Sequence, residues 1–472
     1  MKTQRLCHLI LYWTWLFLGI LGLNLSSAHA QRPPVVPINL SYFRVDFIQP
    51  GARPAALGGA FIGAAQDETA APINPAGLIY LKSAGASLHQ RVANFDFDEP
   101  QGSPASPNNK RSFGSHNFDQ NLAVVFFPIK RFTFAIFRQV AIDTRFIFET
   151  QQFLTNDTPL TTQRLLGGLG NFPGRRVNLS LKLVNDGLAI GYRLNKRLSL
   201  GISSKISVLK MGLDEQTFLD PLLTDSATPR GNLPETTYSV SIIDERVTDP
   251  SFSIGMMSKI ILDKLFVGAV AHFNPSFGLN NSIFLPQYST TEQTFPAKSV
   301  NPSGFKFSVP NSYGFGLYFV PKSRLRFTFD LVRIQYSDML EGNNLNIVAD
   351  DVVDAATGQY LDPDGLPDLT VDDVNEFHAG VEFLVKMPRI RFLSQGGLIP
   401  IRVGLHTNPG HRIYSISDNP DLRRLFPKAK DRMHFTFGSG FVLNSYLKFD
   451  GSVTFSEETF EFYGSALITI PL

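Results

Sequence analysis

From Ser83 onward, apolar and polar residues alternate with a period of two along most of this chain. Between Arg131 and Ala141, Phe132, Phe134 and Ile136 share one face while Thr133 and Ala135 oppose them. Leu325-Arg326-Phe327-Thr328-Phe329-Asp330-Leu331 repeats the pattern. In the last segment Phe462, Gly464, Ala466, Ile468, Ile470 and Leu472 fall on one side. Successive side chains of a β-strand point to opposite faces, so this period predicts strands. They are expected near 84–97, 118–128, 131–150, 176–194, 197–211, 235–260, 264–274, 305–320, 324–338, 375–387, 398–407, 431–443, 445–456 and 459–472, about fourteen in all. Within 235–260, Thr248-Asp249-Pro250 marks a place where one strand could become two.

The connections fall into two kinds that largely take turns. Pro128 to Lys130, Asn195-Lys196, Leu262 to Lys264, Pro321 to Arg324 and Asn444 are very short. Asp98 to Asn117, Gln151 to Arg175, Gly212 to Pro234, Asn274 to Gly304, Met339 to Val374 and Thr407 to Lys430 are long and polar. A transmembrane barrel has short turns at one end and long loops at the other. A soluble sandwich or propeller requires no such alternation, and no blade-length repeat is visible. The expectation is an all-β fold, a transmembrane antiparallel β-barrel over 83–472. Tyr192, Tyr318, Phe319, Tyr336, Tyr446 and Tyr463 are candidates for its interfacial aromatic girdles.

Residues 47–82 do not alternate. They are dense in Ala and Gly and too interrupted by Pro and Gly to form a strand. Small side chains let a backbone lie close to surrounding walls, so short helices and turns plugging the lumen are expected here.

Composition adds the compartment. Lys2 and Arg5, an apolar stretch from Leu9 to Leu25, and Ala28-His29-Ala30 together read as a signal peptide over 1–30. Its removal would take Cys7, the only cysteine, and leave 43 − 2 = 41 basic against 41 acidic residues. A net charge of zero gives no reason to expect a nucleic-acid partner. Past the leader, no apolar run reaches the roughly 18 residues of a membrane-spanning helix.

Gly51-Ala52-Arg53-Pro54-Ala55-Ala56-Leu57-Gly58-Gly59-Ala60-Phe61, then Asp67, Thr69-Ala70 and Asn74-Pro75-Ala76-Gly77-Leu78, resemble the N-terminal hatch of the long-chain fatty-acid outer-membrane transporters, the FadL family. The resemblance is specific over about thirty residues, and the strand plan is compatible over the rest. It implies a hatch within 31–82 and gating residues Gly51, Arg53, Gly58, Gly59, Asn74, Pro75, Ala76 and Gly77. It also implies passage of fatty acids or aromatic hydrocarbons across the outer membrane. Two features depart from the family: the chain ends Ile470-Pro471-Leu472 without an aromatic residue, and residues 31–46 precede the hatch motif.

Little else points to chemistry. The seven histidines past the leader are scattered, with no H-E-x-x-H, and no G-x-S-x-G elbow occurs. Asp362, Asp364 and Asp368 resemble a calcium loop but lack its closing Glu, and a solvated acidic loop accounts for them as well. Apolar residues in the long loops are candidates for ligand capture: Leu165, Leu166 and Leu169, then Phe218, Leu219, Leu222 and Leu223, then Ile283, Phe284 and Leu285. The same residues would serve equally as packing between loops.

The function expected is a channel without cofactor for hydrophobic small molecules. Its partners would be outer-membrane lipid and lipopolysaccharide, the ligand and the barrel-assembly machinery, with the protein a monomer. A barrel-type adaptor or secretion partner without transport is the alternative.

Overall fold

Alternation is realised with its polarity reversed relative to a soluble protein. Along Arg432–Val442, Met433, Phe435, Phe437 and Phe441 lie exposed on the outside, while His434 and Thr436 are buried within. Along Leu198–Leu219, Leu200, Ile202 and Ile206 face out, and Ser199, Ser203, Lys205 and Ser207 face in. Lipid offers backbone amides no partners, so only a sheet that closes on itself can present such a face to hydrocarbon.

The computed structural model describes residues 45–470 except 101–109, 151–152, 155–170, 173, 220–235, 285–286, 289–292, 295–302, 343–351, 354–359, 362–368, 387–397, 417–422, 424–425 and 443–445. Among the described residues, fourteen strands form a closed ring in which each pairs antiparallel with its sequence neighbours. They are β1 (Ala84–Pro100), β2 (Lys110–Ile129), β3 (Phe132–Thr150), β4 (Gly174–Arg193), β5 (Leu198–Leu219), β6 (Thr236–Ile261) and β7 (Leu265–Phe273). The others are β8 (Asn311–Lys322), β9 (Leu325–Gln335), β10 (Val374–Lys386), β11 (Leu398–Asn408), β12 (Arg432–Val442), β13 (Leu447–Phe455) and β14 (Thr459–Ile470). The ring closes by pairing β1 with β14, from Ala84 opposite Ile470 to Phe95 opposite Thr459. Two of the short turns hold a non-glycine residue at positive φ, Lys130 at 56° and Asp263 at 59°, as tight hairpins require.

Several strand limits differ from those expected. The segment 305–320 is not one strand. Ser303–Ser308 pairs with Ser276–Phe284 in a hairpin inside the expected loop, and β8 starts after Pro310. Proline has no N–H to give a ladder, so the break falls there. Conversely, β6 is continuous through Pro250. Its residues 252–261 pair with β7 and residues 240–242 with the hairpin, so Pro250 lies where that edge has no partner to supply. β2 begins at Lys110 and β5 runs to Leu219, into stretches expected as loop. Beyond the membrane the outer face need not be apolar, so the hydropathy signal fades while backbone pairing continues. Tyr318, Tyr336 and Tyr463 are buried inside rather than in a girdle, whereas Phe319 and Tyr446 are exposed on the outside.

Residues 45–82 lie within the ring. They form two short helices, α1 (Ala52–Ala56) and α2 (Ala70–Ile73), and a 3-10 helix over Pro75–Tyr80. Their hydrogen bonds reach walls on all sides: Asn121 on β2, Ala141 on β3, Arg193 on β4, Met256 on β6, Asp330 on β9, His378 on β10 and Thr436 on β12. Toward the loops, an apolar cluster occupies the interior, joining Leu179, Leu181 and Leu183 of β4, Leu209 and Met211 of β5, and Phe277 and Phe307 of the hairpin.

Candidate functional site: a hatch and the cavity above it

The hatch is held by polar groups that the wall supplies to its backbone. Asp330 Oδ2 accepts from the amides of Phe61 and Ile62, each at 2.6 Å. Thr436 Oγ1 accepts from Gly58 N at 3.1 Å and donates to Ala56 O at 3.0 Å. Asn74 uses both ends of its amide: Nδ2 donates to Ile62 O at 3.1 Å and Met256 O at 3.3 Å, and Oδ1 accepts from Ala76 N at 3.3 Å. Pro75 occupies the first turn of the 3-10 helix, where a missing N–H costs nothing. Gly58 and Gly59 turn the chain at φ 64° and 78°, in the left-handed region that glycine adopts freely.

Opposite the hatch the wall is bare. Gly191, Gly201 and Gly255 stand side by side on β4, β5 and β6, and Pro75 and Asn74 press on them. Gly380 and Gly404 pair across β10 and β11 beneath Leu57 and Gly58. Gly268 and Gly316 pair across β7 and β8 beneath Ile62 and Gly63. A Cβ on any of these would meet hatch atoms.

A buried charge cluster seals one side. Arg53 pairs with Asp67 at 3.0 Å and approaches Glu382 at 3.4 Å. Glu382 also bonds Arg326 and, at 2.6 Å, Arg402, which reaches Asp450 at 2.7 Å. Against the burial that would raise it, the Arg53 guanidinium holds Asp67 below the usual carboxylate range. Burial, then the neighbouring Asp67 charge, pushes Glu68 up to about 7 against the opposing pull of Lys448.

Above the hatch is a cavity of about 170 Å³. Ile62, Ile73, Leu183, Val270 and Ile334 give it apolar walls, and Gln139, Asn185, Lys205 and His272 give it polar ones. One wall is made by the chain leading into the hatch, Phe47-Ile48-Gln49. That leading segment spans a split in the barrel. Pairing of β2 with β3 runs only from Ile129 opposite Phe132 to Leu122 opposite Gln139, while β3 continues beside β4 to Thr150. A bulge in β3 at Ala141 marks the start of the split. Ile48 N donates to Ala141 O at 2.9 Å on one lip, and Asn121 Nδ2 on the other lip donates to Gln49 O at 2.8 Å.

The structure therefore brings together Gly51, Arg53, Gly58, Gly59, Asn74, Pro75, Ala76 and Gly77 inside the ring. Gly51 lies so close to His89 that a Cβ would come within 2.5 Å of its Nδ1, and Gly77 packs on Ala65 O. Leu165, Leu166, Leu169, Leu222, Leu223, Leu285, Asp362, Asp364 and Asp368 lie outside the described residues. The backbones of Phe218 and Leu219 are in β5, opposite Thr237 and Thr236, rather than in a loop, because the strand outlasts the membrane. Ile283 and Phe284 likewise belong to a strand, that of the hairpin. Among the described residues no group of His, Cys, Asp and Glu is placed to hold a metal. Sequence reasoning missed Asp330, Glu382, Arg402, Lys205 and the wall glycines. The glycines alone left a signal, one or two in the interior of most strands, where glycine marks close approach of another backbone.

A family model described as "Outer membrane protein transport protein (OMPP1/FadL/TodX)" matches residues 51–345. Among curated proteins, none matches this sequence. The CymD monoaromatic hydrocarbon channel is 14% identical, with 91% of this chain and 100% of that one covered and a TM-score of 0.53. A Pseudomonas aeruginosa FadL homologue is also 14% identical, with 90% and 99% covered and a TM-score of 0.54. The deltaS2 mutant of the TodX monoaromatic hydrocarbon channel is 14% identical, with 89% and 98% covered and a TM-score of 0.55. At that identity, the likeness is one of fold.

Proposed function

Because the chain belongs to the outer membrane protein transport protein family (OMPP1/FadL/TodX), we propose that it admits hydrophobic molecules across the outer membrane through the cavity above its hatch. The observation that carries the route is the position of Phe47-Ile48-Gln49, one wall of the cavity and at the same time the bridge across the β2–β3 split. The hatch blocks the axis of the barrel below the cavity. Unpaired strand edges are costly in lipid, so the split is a place the fold keeps weak for a reason. Displacing the hydrogen bonds at Ile48 and Gln49 opens the cavity toward it, beside the remaining bridge from Asn117 Nδ2 to Asp143 O. An apolar solute then leaves sideways into the bilayer and never crosses a polar layer unprotected.

In this reading the hatch residues around Asn74-Pro75-Ala76 set how firmly the leading segment is held. The loop residues Leu165, Leu166, Leu169, Leu222 and Leu223, with Phe218 and Leu219, collect ligand at the outer end, and residues 1–30 are the export leader. The solved channels of similar fold named for monoaromatic hydrocarbons support an aromatic ligand class. No catalytic step is involved.

The gate is testable because Cys7, the only cysteine, falls in the leader. The double variant Ile48→Cys/Ala141→Cys should form a disulfide in the oxidising exterior compartments and pin the segment to β3. Oxidised cells should lose uptake of labelled toluene, and a reductant should restore it. Undiminished uptake with the disulfide formed would exclude the lateral route. Equal uptake by cells lacking the protein would favour the adaptor reading.

A further inference from the structure

Among the described residues, the lysines and arginines buried in this lumen carry carboxylates, with one exception. Arg91 has Glu461 at 2.5 Å and Arg402 has Glu382 and Asp450, and the part-buried Arg53 and Lys448 have Asp67 and, at 2.7 Å, Asp450. Lys205, 5% exposed, faces the cavity from β5. Its ammonium donates to Ser253 Oγ at 3.1 Å, and Ser253 Oγ meets His272 Nδ1 at 2.8 Å. No carboxylate among the described residues lies within ion-pair distance of it. The neighbouring Asn185 and Ser251 are bonded to Ser207, each at 2.8 Å. The one acid on the cavity lining, Glu376, is turned to His378 Nε2 at 3.2 Å.

An ammonium buried without a counter-charge is costly, and a fold that retains one in a cavity gains when an anion arrives. The lining of the same cavity also includes Ile62, Ile73, Val270, Val332 and Ile334, which give an apolar body a place beside the charged group. Its volume, about 170 Å³, is close to the roughly 150 Å³ that houses a benzene ring. A single ring or a short alkyl chain fills such a space.

The geometry points to a binding site for a compact amphiphilic acid, one aromatic ring or a short alkyl chain bearing a carboxylate, with the head on Lys205. Ser253 and His272 hold the ammonium toward the cavity, and Asn185 and Gln139 line the same polar side. The inference rests on the channel reading and narrows it: the preferred cargo is an acid with a small apolar body rather than a plain hydrocarbon or a long-chain fatty acid.

Equilibrium dialysis of the purified full-length protein in detergent, with labelled benzoate and labelled toluene, tests this. Benzoate should bind at least tenfold more tightly than toluene. Lys205→Met should abolish that preference, and Lys205→Arg should keep it. Heat-modified migration on a gel reports that each variant has folded. Equal affinity for the two probes in the native protein would overturn the inference, as would unchanged benzoate binding in Lys205→Met. Displacement of benzoate by oleate as readily as by unlabelled benzoate would overturn the size limit. Uptake of toluene by cells with and without the protein is read separately: loss of protein-dependent uptake sinks the channel reading, whereas its persistence with no benzoate preference sinks this inference alone.

Discussion

Asn74 and Glu68 show how differently two hatch residues can be read from sequence. Asn74 sits in a motif, and its role in three hydrogen bonds explains why an amide followed by Pro is needed there. Glu68 belongs to no motif, and only folding reveals that it is buried beside Asp67, 3.6 Å from His89, where burial and the Asp67 charge outweigh the attraction of Lys448. In the seated hatch it keeps its proton up to about 7, whereas a released hatch would lose that proton at the ordinary 4.5. The stabilisation is therefore complete below about 4.5 and is lost as pH rises through about 7. Amide hydrogen exchange in residues 51–78 should accelerate about tenfold between pH 6 and pH 8, beyond the intrinsic chemical rate. Glu68→Gln should remove that excess. An excess that survives in Glu68→Gln would assign it to another group.

At the scale of elements, strands within lipid were legible because both neighbours of each residue are constrained: one must be apolar outside, the next fills or lines the lumen. That logic located β3, β9 and β14 within a few residues. It failed where the constraint lapses. The hairpin Ser276–Phe284 with Ser303–Ser308 has the sequence pattern of a loop followed by a strand, and only backbone pairing defines it. Asp330 and Lys205 read as ordinary inward polar positions; what each faces depends on non-neighbouring elements, which periodicity does not encode. The wall glycines follow the same rule. A side chain at Gly255 would intrude on Asn74 and Pro75, so Gly255→Leu should destabilise hatch seating by about 1–3 kcal/mol. Gly278, with nothing within 4 Å of its would-be Cβ, is the control. Hydrogen exchange across residues 51–78 should rise in Gly255→Leu and stay unchanged in Gly278→Leu. Equal exchange in both would mean the hatch does not depend on the bare wall.

The whole molecule combines two structures with different requirements. Apart from the β2–β3 split, the ring satisfies its ladders from within, strand to strand, and β1 meets β14 without help from the hatch. The hatch forms no sheet; its helices of five and four residues are far too short to persist alone, and its N–H groups depend on Asp330 and Thr436 and its Gln49 carbonyl on Asn121. Dependence thus runs one way. Deleting residues 45–81 while keeping the leader should leave a folded barrel, because no strand pairing is lost. Asp330 and Glu382 would then face water entering the lumen rather than an unsolvated void, which offsets the loss of their hatch partners. In planar bilayers the deletion variant should conduct ions steadily, whereas the intact protein should be closed, and its gel mobility should still change on heating. A variant that fails to reach that heat-modifiable state would show that the hatch is needed to assemble the ring, and a folded variant that does not conduct would place the seal in the apolar cluster at the loop end instead.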